Sequence, residues 1–258
     1  MPTALSVFVF LVGVAFGSFF NALVWRYRRR ERITAKHSVC VHCRHALSAA
    51  DLVPLVSYCL LRGRCRYCHK PIPWTYPVVE AVTGLVVLAP LAVFGLTAAF
   101  FAVAVFSLFL EALFLLDLRY SILPDEITIP AFLVGILVAL TLGRGFGEAA
   151  FGAILGGGFF GLQYLFSQGR WIGGGDIRLG AVLGLALGLK LVLLTLFIAY
   201  CVGAIVAVFL LVRRTKGWKS HLPFGTFLTA SAYVVLLSST AAGSWISDLF
   251  ASHLLFLA

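Results

Sequence analysis

The stretch MPTALSVFVFLVGVAFGSFFNALVWRYRRR, residues 1–30, decides the fold class. From Ala4 to Trp25 it is an apolar run about as long as the ~20 residues that cross a bilayer as a helix. Its arginines follow the run rather than precede it. A cleavable secretory signal has the reverse order. The stretch therefore reads as a permanent first span with its N-terminus outside.

The rest of the 258 residues agrees. The chain is 61% hydrophobic and only 12% charged, with a mean hydropathy of +1.02. A soluble domain of this size could not bury that much apolar surface, so the class is an integral membrane protein. Backbone facing lipid must satisfy itself, which leaves helices or a closed barrel. The apolar–polar alternation of a barrel strand is missing. The expected fold is all-α and polytopic, with about eight spans: 4–25, 78–94, 98–116, 127–142, 149–166, 177–189, 191–212 and 224–237. The sixth is short, and the tail 245–258 is expected along the far interface. No internal repeat or low-complexity linker is evident. Three regions follow: the first helix at 1–25, a polar loop at 26–77, and a helical core at 78–258.

Charge sets the topology. The net charge is +10, and between Arg26 and Lys70 stand eleven Lys/Arg against two acids. A basic loop beside a span reports orientation more often than a nucleic-acid partner, and no nucleic-acid partner is expected. With the N-terminus outside, 18 of the 20 Lys/Arg fall in inside segments, all but Arg144 and Lys190. That orientation brings Asp117, Asp125 and Asp176 to the cytoplasmic side.

The polar loop carries CVHC and CRYC, so Cys40 and Cys43 form one Cys-x-x-Cys, and Cys65 and Cys68 another. Two such pairs supply four thiolates in the tetrahedron preferred by structural Zn²⁺. The cytoplasm is reducing, which disfavours disulfides. A closed four-cysteine site has no open position for substrate, so its metal would hold together a loop too poor in apolar residues to fold alone. His42, His45 and His69 are alternate ligands or solvated neighbours; Cys59 and Cys201 are packing residues.

A carboxylate at membrane depth is costly and points to function. Asp117 ends the third span and Asp176 opens the sixth. Packing could bring these helix ends together although they lie 59 residues apart. Two close carboxylates share one proton, so one serves as acid while the other activates a water. Gly173 and Gly175 remove bulk beside Asp176, which would let an extended substrate backbone approach. Taken alone, GGGD reads equally well as a helix start with Asp176 as its N-cap, and Asp125 after Leu-Pro reads likewise. Asp117 has no such explanation, because a helix C-terminus disfavours negative charge.

Together these residues resemble the bacterial type IV prepilin peptidases, membrane aspartic proteases of the G-x-G-D kind. GSFFNALVWR is similar to the family's first-span signature, and CVHC with LRGRCRYCHKPIPWTYPVVE to its two-knuckle loop. DLRYSILPD resembles the first aspartate motif, GGGDIRLGAVLGLALG the second, and HLPFGTFL the start of the eighth span. The resemblance implies that Asp117 and Asp176 are the catalytic pair. It implies removal of a basic leader from prepilins or pseudopilins at the cytoplasmic face of the bacterial inner membrane. It implies methylation of the new N-terminus by S-adenosylmethionine, because the cysteine loop is that of the bifunctional members. Asn21 and Glu80 match family positions and are candidates for methyl transfer; Asn21 reads equally as a helix-packing hydrogen bonder. Neither a G-x-G-x-x-G after a strand nor an α/β domain marks the methyl-donor site. The chain departs from the family at Thr75, where Arg is frequent, at Arg178, where Lys is usual, and at Thr226, where Pro is common.

Two other classes compete. A proton-coupled transporter would place its acids at mid-span and show inverted repeats, which are not apparent. A zinc-loop scaffold would depend on the cysteines and not on the aspartates.

Overall fold

The structure, a computed structural model, describes residues 3–29, 38–213 and 222–238. Among them it is helical, with only two isolated β-bridges, Val39 with Ala46 and Arg64 with Pro71. The tail 245–258, His221 and the basic residues at 30–36 and 214–219 lie outside the described residues. The chain divides into two compact units, Met1–Gly95 and Leu96–Ala258.

In the first unit, α1 (Thr3–Arg28) packs antiparallel on α3 (Thr75–Phe94). The register is plain: a Cβ on Gly13 would meet Gly84 and Thr83, and one on Gly17 would meet Glu80. At the next step Asn21 Nδ2 donates to the Tyr76 carbonyl at 3.1 Å. Gly13-x-x-x-Gly17 thus lets the two backbones touch, the small-residue packing that lipid-embedded helices favour. Between these helices run the cysteine loop, a short 3₁₀ turn (Ala49–Leu52) and α2 (Val56–Leu60).

The second unit holds α4 (Ala98–Tyr120), α5 (Asp125–Thr141), α6 (Phe146–Ser167), α7 (Gly174–Val212) and α8 (Phe224–Leu237). Their bounds agree with the expected spans to within a few residues, except that the sixth and seventh join as the 39-residue α7. That helix is not straight. Gly188 has φ 74° and ψ 175°, a conformation that favours glycine. A Cβ on Gly156 of α6 would touch both Gly180 and Val192. In a straight helix those two positions stand about 18 Å apart, so α7 doubles back at Gly188. Five helices, α1, α3, α4, α6 and α7, are long and apolar enough to cross a membrane. α5 at 17 residues and α8 at 14 fall below that length, so eight complete crossings do not follow from helix length alone.

α6 and the first half of α7 cross on glycines. Gly152 meets Gly184, and Gly156 meets Gly180, each pair backbone to backbone. This packing follows from two small-x-x-x-small patterns. With α6 antiparallel to the start of α7, the unit gathers the ends of α4 and α6 and the starts of α5, α7 and α8 at one end. Leu123, in the α4–α5 turn, marks the meeting point: it fills the space beside both Gly175 and Gly225.

Candidate functional site

Asp117 lies in the last turn of α4 and is 5% exposed. A carboxylate at that position opposes its own helix dipole, but a second helix offsets it. Its Oδ2 accepts from the Thr226 backbone N–H at 2.6 Å and from Thr226 Oγ1 at 3.0 Å. Thr226 is the third residue of α8, so Asp117 sits on the positive N-terminus of that helix. Gly225 makes the approach possible, because a Cβ there would stand 3.0 Å from the Asp117 carboxyl.

Asp176 is partly buried in the first turn of α7. Its Oδ2 accepts from the Gly173 N–H at 3.1 Å. The N-cap of α7 is therefore Gly173, and Asp176 is the third helical residue reaching back to it, the return half of a capping box. The N-cap reading of Asp176 is corrected accordingly. Asp125 is likewise the first helical residue after the cap Pro124, and it pairs with Arg178 of α7.

The fold brings the helix ends that carry the two aspartates to one place. Asp117 on Gly225, Leu123 between Gly225 and Gly175, and Asp176 beside Gly175 form a continuous path. The glycines differ from expectation in detail. A Cβ on Gly175 would stand 2.9 Å from Leu123 Cβ, so its smallness serves packing. The open surface lies at Gly173 and Gly174: nothing is within 4 Å of a Cβ on Gly174. Tyr200 belongs to the returning half of α7. Its hydroxyl donates to Gln163 Oε1 at 3.0 Å, and its ring lies 4.7 Å from that of Phe224.

In the first unit the four predicted cysteines converge. One ligand atom from each of Cys40, Cys43, Cys65 and Cys68 lies within 4.8 Å of the others, with Cys40 and Cys68 sulfurs 3.9 Å apart. A tetrahedral site with Zn–S of about 2.3 Å requires sulfurs about 3.8 Å apart, so the cluster fits zinc. His42, His45 and His69 are not part of it. The two knuckles are near copies. Cys40 N–H donates to the His45 carbonyl and Cys65 N–H to that of Lys70, both at 2.9 Å. Arg44 and His69 take the same positive-φ turn. The sequence hides this 25-residue repeat because its side chains differ outside the cysteines. Burial works against ionising Cys40, but the backbone N–H groups of Cys43 and His42 hold its thiol down at about 7, toward the thiolate that a metal needs.

Asp51 ties the loop together. Its carboxylate accepts from Ser48 Oγ at 2.7 Å, Arg66 Nε at 2.7 Å and Tyr67 Oη at 3.1 Å. These bonds, Ser48 first and Arg66 next, hold its carboxyl down at about 2. Glu80 is 7% exposed in α3, and its Oε2 accepts from the Leu55 N–H at 2.8 Å. Asn21, Glu80, Trp25, Arg26, Tyr58 and Tyr76 line a cleft of about 230 Å³.

Residues 11–94 match the model of the bacterial peptidase A24 N-terminal domain, and residues 104–208 that of the type IV leader peptidase family. Several relatives are named prepilin leader peptidase/N-methyltransferase. One from Burkholderia pseudomallei (strain 1026b) is 33% identical, over 93% of this chain and 88% of its own. One from Aeromonas salmonicida is 30% identical, over 92% of each. One from Myxococcus xanthus is 36% identical, over 82% of this chain and 64% of its own. No solved structure matches the chain. Two family domains in order and relatives alike over nearly the whole length lead to one conclusion: the chain belongs to the type IV leader peptidase family.

Proposed function

We propose that this protein is a membrane aspartic endopeptidase that removes the basic leader of type IV prepilins or pseudopilins at the cytoplasmic face of the bacterial inner membrane, and then methylates the new N-terminus. The observation that supports the peptidase half is that Asp117 and Asp176 stand at the same end of the second unit, joined through Gly225, Leu123 and Gly175. One carboxylate draws a proton from water as the water oxygen bonds to the scissile carbonyl carbon. The other gives its proton to the departing amine as the C–N bond breaks. Gly173 and the open Gly174 beside it present a bare backbone edge to an extended substrate, and Gly175 holds that turn against Leu123. The cut lies where a basic leader meets an apolar helix, which suits a site built from helix ends.

The cysteine cluster would hold a structural Zn²⁺ through Cys40, Cys43, Cys65 and Cys68, folding a loop that has few apolar residues of its own. S-adenosylmethionine, when bound, supplies an electrophilic methyl group. The cleft suits such a cation and its adenine ring: it offers Trp25, Tyr58 and Tyr76 as ring surfaces. Glu80 adds a buried carboxylate, and Asn21 lies on the same wall.

Incubation of the purified protein with a prepilin and labelled S-adenosylmethionine tests the reading. A shortened product whose new N-terminal amine carries the label supports both halves. An intact leader contradicts the first half, and an unlabelled shortened product contradicts the second.

A further inference from the structure

Gln163 of α6 and Tyr200 of the returning half of α7 form a polar pair on an apolar surface. Tyr200 Oη donates to Gln163 Oε1 at 3.0 Å. Gln163 Nε2 donates to its own helix, to the Phe159 carbonyl, at 3.4 Å. An amide nitrogen has two hydrogens, and a phenol oxygen accepts as well as donates. Among the described residues the pair thus keeps a donor and an acceptor to offer. Tyr200 is 38% exposed and Gln163 half-buried. Around them Phe159, Leu162, Phe166 and Phe197 are exposed, as lipid-facing side chains are. Polar groups on such a surface are costly and point to function.

The helix register places the pair. Gly152 meets Gly184, and Gly156 meets Gly180. Extended by one turn, that antiparallel register sets Phe160 level with Asp176; extended by about two, it sets Gln163 level with Gly173. The Phe160 and Tyr200 rings lie 5.8 Å and 4.7 Å from that of Phe224. Phe224 precedes Gly225, which stands against the Asp117 carboxyl. The pair therefore belongs to the end of the unit that holds both aspartates and the open glycine turn. A peptide must unwind from a membrane helix before it can be cut. Its freed N–H and C=O groups then lie where no water satisfies them, and protein must do so. The Gly173 and Gly174 backbone serves one part of the unwound chain. At the same level Gln163 offers an amide N–H to a carbonyl, and Tyr200 an oxygen to an N–H.

We propose that Gln163 and Tyr200 form a substrate subsite that hydrogen-bonds the unwound start of the substrate's apolar helix, just past the scissile bond. The proposal rests on the leader-peptidase reading above. The basic leader stays on the cytoplasmic side, so the segment that meets a lipid-facing pair is the apolar one. The pair holds polypeptide and touches no reacting atom, so its loss acts on KM rather than kcat.

The test uses the full-length protein in lipid vesicles, with a prepilin as substrate. Gln163→Leu and Tyr200→Phe should each raise KM about fivefold, with kcat within about twofold of wild type. A pair that only fastens α6 to α7 would leave KM unchanged, and unchanged KM in both variants overturns the proposal. A photoreactive p-benzoylphenylalanine in place of Tyr200, in an Asp117→Asn background that retains the uncleaved substrate, gives a readout independent of rate. Mass mapping should find its cross-links in the first few residues after the cut. The same probe in place of Phe151, which is exposed three turns away along α6, should give none. Cross-links confined to the leader, or equal at both positions, overturn the proposal. If the probe at Tyr200 prevents insertion, the same probe in place of Gln163 carries the same prediction. The parent reading fails separately: an intact leader after incubation with wild-type protein sinks the peptidase assignment, whereas normal cleavage with unchanged KM in both variants sinks only the subsite.

Discussion

Asp117 shows how a residue that looks misplaced in sequence is made stable by structure. At a helix C-terminus its charge opposes the local dipole, yet the start of α8 supplies two donors and a dipole of favourable sign. The need for two acids was legible in the sequence, because carboxylates at membrane depth are rarely idle. Thr226 and Gly225 were not, because nothing local links positions 117 and 226; the contact exists only once α4 and α8 pack. For Asp176 the sequence placed the helix start three residues late and was ambiguous between capping and chemistry; the structure assigns Gly173 as the cap. Asp51 gives a pH prediction. Its folded carboxyl titrates at about 2, below an unfolded value of about 3.9. Its stabilisation is thus present above about pH 4 and is lost as pH falls toward 2. Between pH 5 and pH 3 the thermal midpoint of the wild-type protein should fall further than that of Asp51→Asn; an equal fall for both would count against the Asp51 network.

At the scale of elements, apolar run length located nearly every helix, and α8 was placed at its observed bounds, 224–237. The sixth and seventh spans were separable because Gly188 and Lys190 interrupt the apolar run, and Gly188 is indeed where α7 turns back. The glycine patterns Gly152-x-x-x-Gly156 and Gly180-x-x-x-Gly184 were visible but unread; their partners are fixed only by the packing of α6 on α7. They yield a paired prediction. Gly184→Ala places a methyl against the Gly152 backbone and should destabilise by about 1–3 kcal/mol or block assembly. Gly158→Ala, where nothing lies within 4 Å, should stay within about 0.5 kcal/mol. Denaturant titration of the purified variants measures both, and equal effects would contradict the glycine packing. The cysteine knuckles yield another. Metal analysis should find about one zinc per chain, lost together with loop protection from protease in Cys40→Ser and Cys65→Ser. Metal-free protein with an intact loop would contradict the zinc assignment.

At the scale of the whole molecule, the division after Gly95 follows from packing: α3 belongs with α1 because Gly13 and Gly17 seat it there. Composition alone could not reveal that partnership, since α3 reads like any other apolar run. The four cysteines, Asn21, Glu80 and the cleft all lie in the first unit, and Asp117, Asp176 and Thr226 in the second. The two proposed activities should therefore separate. Asp176→Asn should still bind S-adenosylmethionine, read by quenching of the fluorescence of Trp25 in the cleft, whereas Glu80→Gln should weaken that signal about tenfold or more and leave leader cleavage near wild type. Loss of the binding signal in Asp176→Asn would contradict the separation.

The central claim is that Asp117 and Asp176 together hydrolyse the leader, and single Asn replacements test it most directly. Membrane-inserted Asp117→Asn and Asp176→Asn, each given a prepilin and followed by product mass, should each release no leader while wild type releases it fully. Cleavage at the wild-type rate by either variant would contradict the account.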